Sequence, residues 1–94
     1  MAGAFVILVD GALAAWMGRG ERQLLTFLDQ VPERDADDVA YEIARVLAAE
    51  VAPGKRRALF VTEVNGQRTH ESPLASALLD AGFVRTVHGY LKRV

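Results

Sequence analysis

The dipeptide Asp10-Gly11, set between the apolar run Ala4-Phe5-Val6-Ile7-Leu8-Val9 and the equally apolar Ala12-Leu13-Ala14-Ala15-Trp16, constrains the fold more than any other feature. A two-residue hairpin loop of type I′ needs positive φ at both central positions, which Asp and Gly tolerate and most residues do not. The chain is therefore expected to reverse there and to pair Val9 with Ala12, Leu8 with Leu13 and Phe5 with Trp16. Both alternating faces of the first run are apolar, which predicts a strand covered on both sides. A second reversal at Gly18-Arg19-Gly20-Glu21 leads into Gln23-Leu24-Leu25-Thr26-Phe27-Leu28, so residues 4–28 read as a three-stranded antiparallel meander.

Helical periodicity follows. Asp35, Asp37 and Asp38 crowd a first turn, where the helix dipole favours negative charge. Val39, Ile43, Val46, Leu47 and Val51 then form one stripe, and Pro53-Gly54 stops the element, which gives a helix over 34–52. Residues 56–70 read as a strand, Ala58 to Val64, turning at Asn65-Gly66 and returning through His70, with Glu63 opposite Arg68. Ser72-Pro73 starts a second helix over 73–81 with Leu74, Leu78 and Ala81 inward, and Gly82 and Phe83 are placed to close it. Residues 83–93 are extended, with His88-Gly89 marking either a tight turn or a bulge. The expected fold class is α+β: one domain over 1–94, with a mainly antiparallel sheet or partly closed barrel of about six strands packed with two helices.

The chain has no cysteine, which excludes disulfides and thiolate-held zinc. The apolar opening run is too short to span a bilayer and lacks the flanks of a targeting segment, so no membrane partner is expected and the cytoplasm is the expected compartment. Charge is near balance but segregated. Residues 29–50 carry seven carboxylates against Arg34 and Arg45, while the rest of the chain is mildly basic.

No catalytic constellation emerges. Gly18-Arg19-Gly20-Glu21 lacks the lysine and hydroxyl of a phosphate loop, and Pro53-Gly54-Lys55 follows a helix where such a loop follows a strand. His70 and His88 sit on segments that could be neighbours, yet two histidines without a spacing motif do not make a metal site. Ser72 with a histidine and Asp80 lacks the nucleophile-elbow pattern, and capping already explains the serine. Asp37 and Asp38 point in different directions on a helix. Leu78-Leu79-Asp80-Ala81-Gly82-Phe83 before a strand also occurs near the ends of acyl-coenzyme A acetyltransferases, but their glycine-rich pyrophosphate loop is missing. The basic residues Arg19, Arg22, Lys55, Arg56, Arg57, Lys92 and Arg93 fall at strand ends or loops, where side chains reach phosphates without disturbing a core. They are the candidate nucleic-acid contacts.

The run Leu8-Val9-Asp10-Gly11-Ala12-Leu13-Ala14-Ala15-Trp16, then Arg19-Gly20 and Leu24-Leu25-Thr26-Phe27, resembles the C-terminal region of the large helicase-related (Lhr) family. A second block is similar to the same family, in order and at matching spacing: Val64-Asn65-Gly66, Ser72-Pro73-Leu74-Ala75, Ala77-Leu78, Ala81-Gly82-Phe83 and Gly89. The resemblance implies a parent ATP-dependent helicase of superfamily 2, active in DNA repair on single-stranded DNA and RNA:DNA hybrids. ATP and magnesium would belong to motor domains outside this sequence, and no cofactor is expected in this chain. Winged-helix modules precede a small β-rich terminal module in the long bacterial form, and this chain resembles that module, with Met1-Ala2-Gly3 then expected to be an expression start. Two positions depart from the family pattern: Gly20-Glu21 stands where relatives read Gly-Gly, and Val87-His88-Gly89-Tyr90 where they read Pro-Arg-Gly-Leu. The expected role is nucleic-acid engagement or packing of the C-terminal modules. The rival is an oligomerisation module using Trp16 and Met17 as an exposed patch, which would make a homo-oligomer. A third reading takes the chain as part of a glycosylase-like region for uracil excision. Asp10 would be its nearest carboxylate, although the turn already accounts for that residue.

Overall fold

The computed structural model describes residues 5–18 and 22–94. In chain order the elements are β1 (Phe5–Val9), β2 (Ala12–Met17), β3 (Gln23–Thr26), α1 (Ala36–Glu50), β4 (Ala58–Val61), β5 (Glu63–Val64), β6 (Gln67–Arg68), α2 (Ala75–Asp80), β7 (Val84–Arg85) and β8 (Tyr90–Arg93). The strands form two sheets, one in the order β1-β2-β3-β5-β6 and the other β4-β8-β7. Neither closes on itself, so the α+β class stands while the barrel does not. The described residues hold eight short strands where about six longer ones were expected.

Both hairpin turns form as their dipeptides require. Asp10 and Gly11 have φ of 53° and 82°, and Asn65 and Gly66 have 53° and 80°. The meander β1-β2-β3 is antiparallel as expected, though most of its second reversal lies outside the described residues. Its register differs by one residue beyond the turn. Val9 meets Ala12 and Leu8 meets Leu13, but Val6 meets Trp16 and Phe5 meets Met17, because a bulge in β2 adds a residue. Ala14 and Ala15 are consecutive and both buried, and that interruption turns Leu13 and Trp16 to the same outer face.

Strand β1 is covered on one side only. Ile7 and Val9 are buried under α1, whereas Val6 and Leu8 are 53% and 59% exposed, because among the described residues no layer packs on the outer face of the sheet. α1 is shorter than the expected 34–52 and buries Val39, Ala40, Ile43, Ala44 and Leu47, with Val46 and Val51 only partly covered. It packs against β1, β2 and α2. The Tyr41 hydroxyl donates to Asp80 Oδ2 at 2.9 Å, tying the two helices at their surface. Donation to that carboxylate, and its negative charge, raise the Tyr41 pKa above the ordinary phenol value.

The expected strand from Ala58 to Val64 breaks at Thr62, where the chain leaves one sheet for the other. The carbonyl of Arg22 accepts from Thr62 N at 2.8 Å, Glu63 N at 3.2 Å and Thr62 Oγ1 at 3.1 Å. This anchor sets β5 parallel to β3, a pairing between strands far apart in sequence. Asn65 strengthens it: its Oδ1 accepts from Thr26 N at 2.8 Å and its Nδ2 donates to Thr26 Oγ1 at 2.9 Å. The return strand β6 has two residues, and His70 sits on a 3-10 turn, Thr69–Glu71, instead of a strand.

α2 covers Ala75–Asp80, preceded by a turn in which Ser72 Oγ donates to Thr69 O at 2.7 Å and accepts from Leu74 N at 3.2 Å. Its C-terminus closes as the sequence predicts. Gly82 has φ of 105°, its N–H donates to Leu79 O at 3.1 Å, and Phe83 N–H donates to Leu78 O at 2.9 Å, with Phe83 and Leu78 both in the core. The choice left open at His88-Gly89 resolves as a tight turn over residues 86–89, joining β7 to β8. No helix of the described residues is long and apolar enough to cross a membrane.

Candidate nucleic-acid interface

Three segments converge on the backbone of Val61-Thr62. Arg22 is fixed there through its carbonyl. Thr69, 1% exposed, donates its hydroxyl to Val61 O at 2.8 Å. Gly89 packs so closely that a Cβ on it would lie 2.4 Å from Val61 O and 2.9 Å from Thr62 Cα. Each contact ends on backbone atoms of Val61 or Thr62, so these three segments hold one short stretch of main chain in place.

The side chains carried by these segments line a cleft of about 410 Å³: Arg22, Phe60, Thr62, Glu63, Arg68, Thr69, His70, Thr86, Val87, His88, Gly89 and Tyr90. A shallower hollow of about 590 Å³ adjoins it, sharing Arg68, His70, Thr86 and Val87 and adding Arg85. Glu63 and Arg68 are paired across β5-β6, as expected from the turn. Among the described residues Arg22, Arg68 and Arg85 make no ion pair, so three exposed guanidiniums face the two hollows against one carboxylate, Glu63. The Arg22 guanidinium lies over the Phe60 ring, 5.9 Å from its centre, which orients the cation without neutralising it. Guanidinium forks suit phosphate oxygens.

Among the described residues proposed from the sequence as nucleic-acid contacts, only Arg22 reaches this cleft. Arg19 lies outside the described residues. The β4-β8 ladder separates the others: Val61 pairs with Tyr90 at the cleft end, and Ala58 pairs with Arg93 at the far end. Arg57 and Arg93 flank a separate hollow of about 540 Å³ there, with Pro53, Gly54, Ala58 and Val94. Lys55 is exposed in the adjoining loop, and Arg56 Nε lies 3.8 Å from Glu50 Oε1. Lys92 Nζ sits 3.1 Å from where a Cβ on Gly82 would stand, beside the C-terminus of α2, where a cation is favoured. The sequence reading therefore merged two ends of one ladder into a single set. It missed Arg68 and Arg85, whose available signal was a place at the root of a hairpin turn.

The remaining candidates are engaged elsewhere or incomplete. Asp10 accepts from Arg34 Nη1 at 3.0 Å at the tip of the first hairpin. Ser72 is held by its local turn and Asp80 by Tyr41, so no serine triad assembles. His70 and His88 do line one cleft, but no group of three or more metal-ligating side chains occurs among the described residues. Met17 is fully buried, so it forms no part of an exposed patch. The geometry that remains among the described residues is a cleft lined by Arg22 and Arg68 against Glu63, beside a half-buried aromatic ring. No family model, curated protein or solved structure matches the chain.

Proposed function

We propose that the chain is the C-terminal accessory module of an Lhr-type ATP-dependent helicase acting in DNA repair, and that it holds nucleic acid backbone in the cleft between its two sheets. The observation that carries this reading is the convergence of Arg22, Arg68 and Arg85, without ion pairs among the described residues, on a frame fixed by backbone contacts. Cations that do not have to break internal salt bridges lose little on meeting a phosphate. The chain itself is read as non-enzymatic, and ATP hydrolysis and translocation would belong to the parent's motor. An oligo(dT) titration of the 94-residue chain is expected to give weak binding, with a dissociation constant of roughly 10⁻⁴–10⁻⁶ M that worsens steeply with salt. Absence of binding at low salt removes this reading.

A second reading is favoured by a different surface. Val6, Leu8, Leu13, Trp16 and Leu25 are 53%, 59%, 42%, 36% and 42% exposed and share the outer face of the first sheet, where Trp16 pairs with both Val6 and Leu25. Strand β1 is the edge of that sheet and carries neither charge nor proline to blunt it. The occupant that fits both features is a second copy, its β1 antiparallel to the first about a two-fold axis. Sedimentation should then show a concentration-dependent dimer that Leu8→Lys abolishes, and a monomer at all concentrations would sink it.

A further inference from the structure

We infer that Val87 is a base-contacting residue, and that the two hollows on either side of it form a continuous path for an unpaired nucleic-acid strand; this rests on the nucleic-acid reading of the cleft. Val87 is 87% exposed, the most exposed large hydrophobic side chain among the described residues. It stands at the tip of a turn where polar residues are usual.

The turn that presents it is tightly held. Thr86 N donates to Gly89 O at 2.7 Å, Thr86 Oγ1 donates to the same carbonyl at 2.9 Å, and that hydroxyl accepts from Gly89 N at 3.2 Å and His88 N at 3.3 Å. Gly89 in turn is wedged against Val61 and Thr62. A β-branched side chain on such a support has few rotamers to lose, so its exposed methyls are preorganised for contact.

Position supplies the rest. Val87 and Thr86 border both hollows, with Arg22 lining one, Arg85 the other and Arg68 both. A strand following the arginines with its phosphates would carry its bases past Val87, whose apolar surface can pack on the face of any base without reading its identity. In a duplex those faces are stacked on one another and unavailable. The geometry thus points to single strands as ligand, with little sequence preference.

The test is fluorescence anisotropy with labelled oligo(dT) and a duplex of equal length, on the wild type, Val87→Ala and Val87→Phe. The single strand is expected to bind more tightly than the duplex. Val87→Ala should weaken single-strand binding on the order of fivefold, as partial burial of two methyl-sized groups implies. Val87→Phe should strengthen it, and neither change should alter the slope of log K against log salt, because the phosphate contacts are untouched. Salt-dependent binding that ignores both substitutions, or that treats duplex and single strand alike, overturns the inference while leaving the phosphate cleft standing. No binding by the wild type removes both.

Discussion

Gly89→Ala is expected to lower the midpoint of thermal unfolding by roughly 10–20 °C, the largest effect of any single methyl addition at a glycine among the described residues. The new Cβ would stand 2.4 Å from Val61 O and 2.9 Å from Thr62 Cα. Both neighbours are backbone atoms of a chain already committed on its other side, since Thr62 N donates to Arg22 O and Val61 O accepts from Thr69 Oγ1. Neither can swing aside as a side chain would. Overpacking of this kind costs about 2–3 kcal/mol, and each kcal/mol moves the midpoint of a domain this size by roughly 4–8 °C. Gly66→Ala is the control: its φ is 80° but nothing lies within 4 Å of its Cβ position. Only the left-handed conformation opposes that change, at about 1–2 kcal/mol. Thermal melts followed by circular dichroism should rank the two variants in this order. Equal midpoints for Gly89→Ala and wild type would show that the close approach is not a constraint in solution.

The turn chemistry of this fold was legible because it is local. Asp10-Gly11 and Asn65-Gly66 specify their φ values without reference to anything distant, and Gly82 with Phe83 closes α2 through bonds within five residues. The stripe of α1 was legible for the same reason. What stayed hidden depends on partners. The bulge in β2 is visible only once Ala14 has a partner strand to be out of step with. The parallel pairing of β3 with β5 joins segments about forty residues apart, and it splits the stretch from Ala58 to Val64, which reads as one strand, into two strands of different sheets. Sheet coverage failed likewise: apolar residues on both faces of β1 predict two covering layers, and among the described residues only α1 arrives.

The candidate site shows the same division. Cations were sought at strand ends, but a short ladder has two ends, and sequence order does not say which basic residues share one. Arg22 is forty residues from Thr62 and yet bonded to it through the backbone. Arg68 reads as the partner of Glu63, and Arg85 as an ordinary strand residue. Only the convergence of three segments on Val61-Thr62 puts Arg22, Arg68 and Arg85 around neighbouring hollows.

Replacing Arg22, Arg68 and Arg85 together by alanine is expected to remove most single-strand binding and to flatten its salt dependence. Each phosphate neutralised on a single strand contributes about −0.7 to the slope of log K against log salt, so three contacts contribute about −2. The substituted chain should lose that much slope, whereas a general loss of structure would leave no binding curve to measure. All three side chains are exposed, and of the three only Arg22 has a described packing partner, Phe60, so the unfolding midpoint should move by only a few degrees. Arg57→Ala with Arg93→Ala provides the opposing arm, since these residues flank the hollow at the other end of the β4-β8 ladder. That pair should keep the wild-type slope. If the pair flattens the slope and the triple substitution does not, the phosphates run along the far end of the ladder. The convergence on Val61-Thr62 would then organise the fold alone.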